Sequence, residues 1–303
     1  LDIALKDKRQ AWLHAFRLRT LPLALSSIFL GSILAAGDAA FRWEILALAS
    51  LTTILLQVLS NLANDYGDSV HGADHAQREG PIRAVQSGII TQSEMKKAMA
   101  LCGVLAFLSG ILLLYVAFSS LWIFLGFLLL GLLAIFAAIN YTSGSNPYGY
   151  MGLGDLSVYL FFGLTGVLGT FFLHSETWNN TLLLPATSLG FFATAVLNIN
   201  NIRDIASDQT AGKKSIPVRI GRKAAVRYNW FLILGGNVCM ILFVLLWAEP
   251  QALTFLVLVP SMVYVGMGVQ RAKSAADTDP FLKKMALNTL LWVLAFGVGY
   301  LLL

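Results

Sequence analysis

Apolar residues in this chain run in blocks of about twenty, the length an α-helix needs to cross the hydrocarbon core of a bilayer. The blocks lie near 21–37, 43–64, 95–117, 121–140, 156–174, 181–202, 228–248, 251–270 and 284–303, and predict nine membrane-spanning helices. Ala98–Gly154 holds 57 residues without a charge. That is too long for one crossing, and Phe118-Ser119-Ser120-Leu121 divides it. Pro22 falls in the first turn of the first block, where a missing N–H costs nothing.

Composition agrees with this pattern. Of 303 residues, 57% are hydrophobic and 12% charged, with a mean hydropathy of +0.72. Soluble domains carry roughly 25% charged residues, so two soluble globules are excluded, and so is a disordered chain. The expectation is one all-α polytopic membrane domain over residues 1–303. Cys102 and Cys239 lie in apolar runs without metal-ligand spacing and read as packing residues. The first block, with its basic lead-in and Ala35-Ala36-Gly37 end, resembles a secretory signal. Cleavage is not expected, because eight blocks follow.

The net charge of +5 points to basic loops rather than to nucleic acid. With the N-terminus cytoplasmic, 20 of the 21 Lys and Arg fall on the inner face and only Arg42 on the outer. The positive-inside rule seldom gives so one-sided a result. The C-terminus then lies outside.

Twelve of the 16 acids share the inner face. Two clusters stand out: NLANDYGDSVHGAD at 61–74 and NINNIRDIASDQTAGKKSIPVRIG at 198–221. Asp65 and Asp68 are three apart, and Asp204 and Asp208 four apart, so a continuing helix would put each pair on one face. Asn61 and Asn64 flank the first pair, Asn198 and Asn201 the second. Clustered carboxylates repel unless a cation joins them. Mg²⁺ takes oxygen ligands from a few carboxylates plus substrate phosphates. Arg78, Arg83, Arg203, Lys213, Lys214 and Arg219 supply phosphate-binding cations nearby. An ion relay would place its acids nearer mid-span. Inverted transporter repeats are not the pattern either, because both clusters end inward-running spans.

A third inner segment, NYTSGSNPYGYMGLGD at 140–155, carries no Lys or Arg. Tyr141, Tyr148 and Tyr150 could wall an aromatic substrate, and Asp155 could hydrogen-bond a phenol or hold a cation. The bland alternative is a turn with interfacial tyrosines.

At these residues the sequence resembles the UbiA superfamily of intramembrane aromatic prenyltransferases. NDYGD at 64–68 is similar to that family's first aspartate motif. Asp204-Ile-Ala-Ser-Asp208, with Gly212 and Lys213-Lys214-Ser215, is similar to its second. RLRTLP at 17–22, GPIRAVQSGIIT at 80–91 and YTSGSNPYGYMGLGD at 141–155 further resemble the branch acting on 1,4-dihydroxy-2-naphthoate. Ubiquinone-type members carry a third acid where this chain has Gly72, and Asp74 lies close by.

The resemblance implies nine helices around a central cavity and Mg²⁺-dependent transfer of a polyprenyl group from polyprenyl diphosphate to the naphthoate ring, in a bacterial inner membrane. It implies Mg²⁺ at Asp65, Asp68, Asp204 and Asp208, with Asn61, Asn64 and Asn201 in support. It implies diphosphate held by Arg83, Arg203, Lys213 and Lys214, and the acceptor near Tyr141, Tyr148 and Asp155. Arg17, Arg19 and Arg83 are alternatives for the acceptor carboxylate. Asp155 or Asp68 could act as base, or none is needed; His71 reads as an ordinary loop histidine. A 4-hydroxybenzoate-type acceptor is the alternative substrate.

Overall fold

The computed structural model describes residues 7–70, 84–143 and 147–302. Nine helical segments among them are long and apolar enough to cross a membrane. They are α1 Lys8–Gly37, α2 Trp43–Val70, α3 Gln92–Ala117, α4 Leu121–Asn140, α5 Gly154–Ser175, α6 Asn180–Arg203, α7 Ile216–Trp247, α8 Pro250–Arg271 and α9 Ala275–Leu301. The break at 118–120 falls where the sequence placed it.

Several helices outrun their apolar blocks. Helix α2 carries on into the acid cluster as far as Val70, and α7 and α9 begin in charged sequence. Hydropathy marks the crossing, whereas the helix itself continues as long as its polar turns are solvated or capped. Thr91 with Glu94, and Ser274 with Asp277, form reciprocal capping boxes that start α3 and α9. Helix α1 is two pieces, Lys8–Phe16 and Leu21–Gly37, joined through Arg17 in a left-handed conformation (φ 48°).

Burial sorts the helices. Helix α6 is the central post, packed against α5, α7 and α9. Its side chains join those of α1, α5, α7, α8 and α9 in the main core around Phe192, Trp292 and Phe255. Helix α4 buries no residue; Trp122, Leu129 and Phe136 point outward, as lipid-facing residues do. Gly163 of α5 lies so close to Ala186 and Gly190 of α6 that an added Cβ would sit 2.7 Å from both. Gly166 approaches Ser27 of α1 in the same way, at 2.7 Å, so both glycines pack within the bundle. Residues Tyr159–Leu168 of α5 form a wide π-helical stretch facing the cavity described next.

Candidate active site

One cavity of about 460 Å³ is enclosed mainly by α1 to α6. Helix α2 lines it with a continuous stripe: Ala49, Thr53, Leu56, Ser60, Asn64 and Asp68. At 1.5 Å rise per residue that stripe spans about 28 Å, close to the hydrocarbon thickness of a bilayer. The cavity is therefore long, apolar over most of its length, and acidic at one end. At the other end Phe127 lines it and packs on Phe118 and Phe172 at 4.9 and 5.4 Å.

The acidic end is where the two clusters meet. The Lys213 ammonium stands 3.0 Å from Asp68 Oδ1 and 3.5 Å from Asp208 Oδ1. Tyr150 donates its hydroxyl to Asp68 Oδ1 at 2.8 Å, and Lys213 lies over its ring at 4.8 Å. The loops that bring these groups together are held by backbone bonds. Lys213 N–H donates to Asp208 O, and Lys214 N–H to Tyr150 O. Gly152 is left-handed (φ +83°), and a Cβ there would lie 2.4 Å from Lys214 O. Gly67, between the two aspartates of α2, lets the Thr142 carbonyl approach to 2.3 Å of where a Cβ would be. Thr142 and Ser143 hydroxyls then donate to Ala63 O.

The four aspartates, all under 8% exposed, have different partners. Asp65 is turned from the cavity. Its oxygens accept the backbone N–H groups of Ala84 and Val85 at 3.1 and 3.2 Å, anchoring the segment that leads to α3. Sharing one helix with Asp68 did not put the two carboxylates on one target. Asp204 interrupts the helix between α6 and the short helix Ile205–Thr210, so the expected continuous helix face is absent there. It lines the cavity but is gripped by both ends of the Arg203 fork, at 2.7 and 2.6 Å. Among the described residues, no three Asp, Glu, His or Cys side chains gather as a metal-holding group. Of the four carboxylates expected to hold a metal, Asp68 and Asp208 share the Lys213 ammonium, while Asp204 and Asp65 make hydrogen bonds to other partners.

The remaining predicted residues divide as well. Asn64 faces the cavity and accepts from the Thr142 hydroxyl at 2.8 Å; Asn201 also lines it. Asn61 borders it but uses its amide to tie α1 to α2, donating to Phe16 O and Thr20 Oγ1 and accepting from Gln57. Asn198 bonds Ala225 O and Asn229, a structural tie to α7. Arg203 does not line the cavity; it joins Asp204 to Asp279 of α9 (2.5 Å). Lys214 does not line it either. Arg17 and Arg19 do, and Arg19 also reaches Asp279 at 3.3 Å. Arg78, Arg83, His71, Gly72 and Asp74 lie outside the described residues.

Tyr141 and Tyr148 meet edge to face at 5.4 Å on the cavity wall. The Tyr148 hydroxyl donates to Ala137 O at 2.9 Å. Burial, then the charge of Asp155, pushes the Tyr141 phenol well above its ordinary value, so it stays neutral. Burial also raises Tyr148. Asp208 is pushed up to about 6, because burial outweighs the pull of Lys213.

Two residues with a structural part at the site carried weak sequence signals. Tyr150 was legible as a wall residue, but not as the partner of Asp68. Asp279 stood in no motif, and only the packing of α1, α6 and α9 makes it a hub for Arg19 and Arg203.

The donor chemistry fits a hard divalent cation. An ammonium already stands between Asp68 and Asp208, and Mg²⁺ takes one or two protein carboxylates, filling its sphere with phosphate oxygens and water.

Comparison with known proteins gives the same picture. Residues 24–290 match the model of the UbiA prenyltransferase family. The chain is 46% identical over 301 residues to the 1,4-dihydroxy-2-naphthoate octaprenyltransferase of Escherichia coli K12, covering 98% of this chain and 96% of that one. It is 33% identical to the enzyme of the same name from Mycobacterium tuberculosis, covering 94% of each. Among solved structures, a UbiA homolog from Aeropyrum pernix K1 superposes with a TM-score of 0.67 at 18% identity, over 93% of this chain and 97% of that one. A homolog from Archaeoglobus fulgidus, bound to DMAPP and Mg²⁺, gives 0.59 at 15% identity, over 94% and 99%. Matched along nearly its whole length, the chain belongs to the UbiA prenyltransferase family.

Proposed function

We propose that this protein transfers a polyprenyl group from polyprenyl diphosphate to 1,4-dihydroxy-2-naphthoate, releasing diphosphate and CO₂ and giving a demethylmenaquinol for menaquinone synthesis. The observation that carries this reading is the convergence of Asp68 and Asp208 on one cation at the polar end of a bilayer-long apolar cavity. A polyprenyl diphosphate has the matching shape, an anionic head on a long hydrocarbon tail. The names of relatives at 46% and 33% identity support the acceptor.

Mg²⁺, held by Asp68 and Asp208 with Asp204 and Asn64 beside them, would neutralise the charge that develops on the departing diphosphate. Lys213, at the same position, would add a further positive charge for the diphosphate. Arg83 and Lys214 are the further cations proposed for the diphosphate. Arg203 acts by bracing Asp204, and Asp65 by bracing the segment that precedes α3. The apolar walls keep water from the allylic carbon while it is electron-poor. Tyr141 and Tyr148 offer an aromatic surface for the acceptor ring, and Arg17 or Arg19 would take its carboxylate. The one-sided distribution of basic residues supports a bacterial cytoplasmic membrane with the acidic end inward.

The test is purified protein with Mg²⁺, a polyprenyl diphosphate and a panel of acceptors, with products identified by mass. A prenylated, decarboxylated naphthoate is the expected product. Transfer to 4-hydroxybenzoate alone would shift the reading to another acceptor, and no transfer at all would remove it.

A further inference from the structure

Asp155 is the one cavity-lining side chain whose buried carboxylate oxygen has no hydrogen-bond partner among the described residues. It sits in the first turn of α5 and lines the cavity. The Tyr228 hydroxyl of α7 faces the carboxylate, whereas Oδ2 is buried and has no hydrogen-bond partner among the described residues. A buried acceptor left unmade costs free energy, so such an oxygen is best explained by a donor that arrives with a ligand. The surroundings indicate which ligand. Tyr141 packs its hydroxyl against Gly154, the neighbour of Asp155: a Cβ on that glycine would lie 2.7 Å from it. Tyr141, Asp155, Asp68 and Asp208 all line this one cavity. A flat ring resting on Tyr141 and Tyr148 would lie beside Asp155, in the same cavity as the cation position.

We infer that Asp155 is the catalytic base, taking the proton of the acceptor's ring hydroxyl next to the carboxylate-bearing carbon and later returning it. This deepens the proposed function and rests on it. As the ring O–H proton moves to Asp155 Oδ2, its electron pair flows into the ring. The carboxylate-bearing carbon then bonds to the allylic carbon, and the C–O bond to diphosphate breaks with its pair. The adduct is a β-keto acid, which loses CO₂ as the carboxylate C–C pair forms an enolate. The enolate oxygen takes the proton back from Asp155 and restores the hydroquinone. No oxidant or further reactant is needed. The first transfer is concerted with C–C bond formation, because a free phenol ionises near pH 10 and holds its proton against a resting carboxylate. Tyr228, whose hydroxyl faces the carboxylate, is a positioning residue.

The test uses full-length wild type, Asp155→Asn and Asp155→Glu, each with Mg²⁺, geranylgeranyl diphosphate and 1,4-dihydroxy-2-naphthoate. Asp155→Asn is expected to lower kcat at least 100-fold, the usual scale for a lost general base. KM for the diphosphate and the Mg²⁺ requirement should change less than threefold. Its residual rate should climb with pH about tenfold per unit, as solvent ionises the hydroxyl instead, while Asp155→Glu regains part of the rate. Asp155→Asn with kcat within fivefold of wild type, or with an unaltered pH profile, would overturn the inference. Should Asp155→Asn fail to fold, Asp155→Ser is measured in the same way, and kcat within fivefold of wild type there would overturn it equally. Wild type without prenyl transfer to this acceptor would instead refute the underlying function.

Discussion

Asp68 and Asp208, from opposite halves of the chain, share the Lys213 ammonium at 3.0 and 3.5 Å. A single cation already joins the two acid clusters before any substrate binds. Removing it should expose that dependence. Lys213→Met is expected to lose about 1–3 kcal/mol of stability without divalent ions, since two buried acceptors lose a charged donor. Mg²⁺ should restore more stability to this variant than it adds to wild type. Thermal unfolding in detergent, with and without Mg²⁺, measures both, and equal Mg²⁺ effects would contradict the shared position.

The state of Asp208 sets a pH window. Burial raises its carboxyl to about 6. A raised aspartate favours the fold while protonated. That contribution is complete below the unfolded value near 3.9 and is lost as pH rises through about 6. Metal-free protein should therefore lose stability between about pH 4 and 7. Mg²⁺ needs the ionised form, so its affinity should fall about tenfold per pH unit below 6. Metal titrations at a series of pH values check both signs.

Asp65 should behave unlike its neighbour in the motif. Its carboxylate accepts two backbone N–H groups, a bracing task that an amide performs only in part. Asp65→Asn is expected to cost about 1–3 kcal/mol while the Mg²⁺ concentration for half-maximal transfer stays within threefold. A large rise in that concentration would place Asp65 among the metal ligands.

Gly67→Ala tests the close approach of two chain segments. The added Cβ would meet the Thr142 carbonyl at 2.3 Å, a backbone contact that cannot swing away. A loss of about 1–3 kcal/mol is expected, with transfer falling because Tyr141 and Asn64 flank that contact. Wild-type stability in this variant would show that the loop yields freely.

The sequence revealed the crossings and the chemistry of the site more readily than its geometry. Nine apolar blocks and the break at Ser119-Ser120 are properties of local composition, and they recur in the fold. Which aspartate faces the cation depends on long-range packing. Asp65 and Asp68 differ because the segment at Ala84 and Val85 meets one and the Tyr150–Lys213 pair meets the other. Asp204 differs from Asp208 because the helix breaks at Asp204 and Arg203 closes on it. Asp279 has no neighbouring motif, and its part appears only once α9 lies beside α1 and α6.

The central claim is that Asp68 and Asp208 serve one cation and one diphosphate. The direct measurement is a double-mutant cycle on kcat/KM for prenyl transfer with Asp68→Asn, Asp208→Asn and the double variant, each titrated with Mg²⁺. Each single variant is expected to lose at least 100-fold and to need more Mg²⁺. The double variant should be little worse than the weaker single, as groups acting as a unit behave. Losses that multiply, or single variants near wild-type activity at ordinary Mg²⁺, would contradict it.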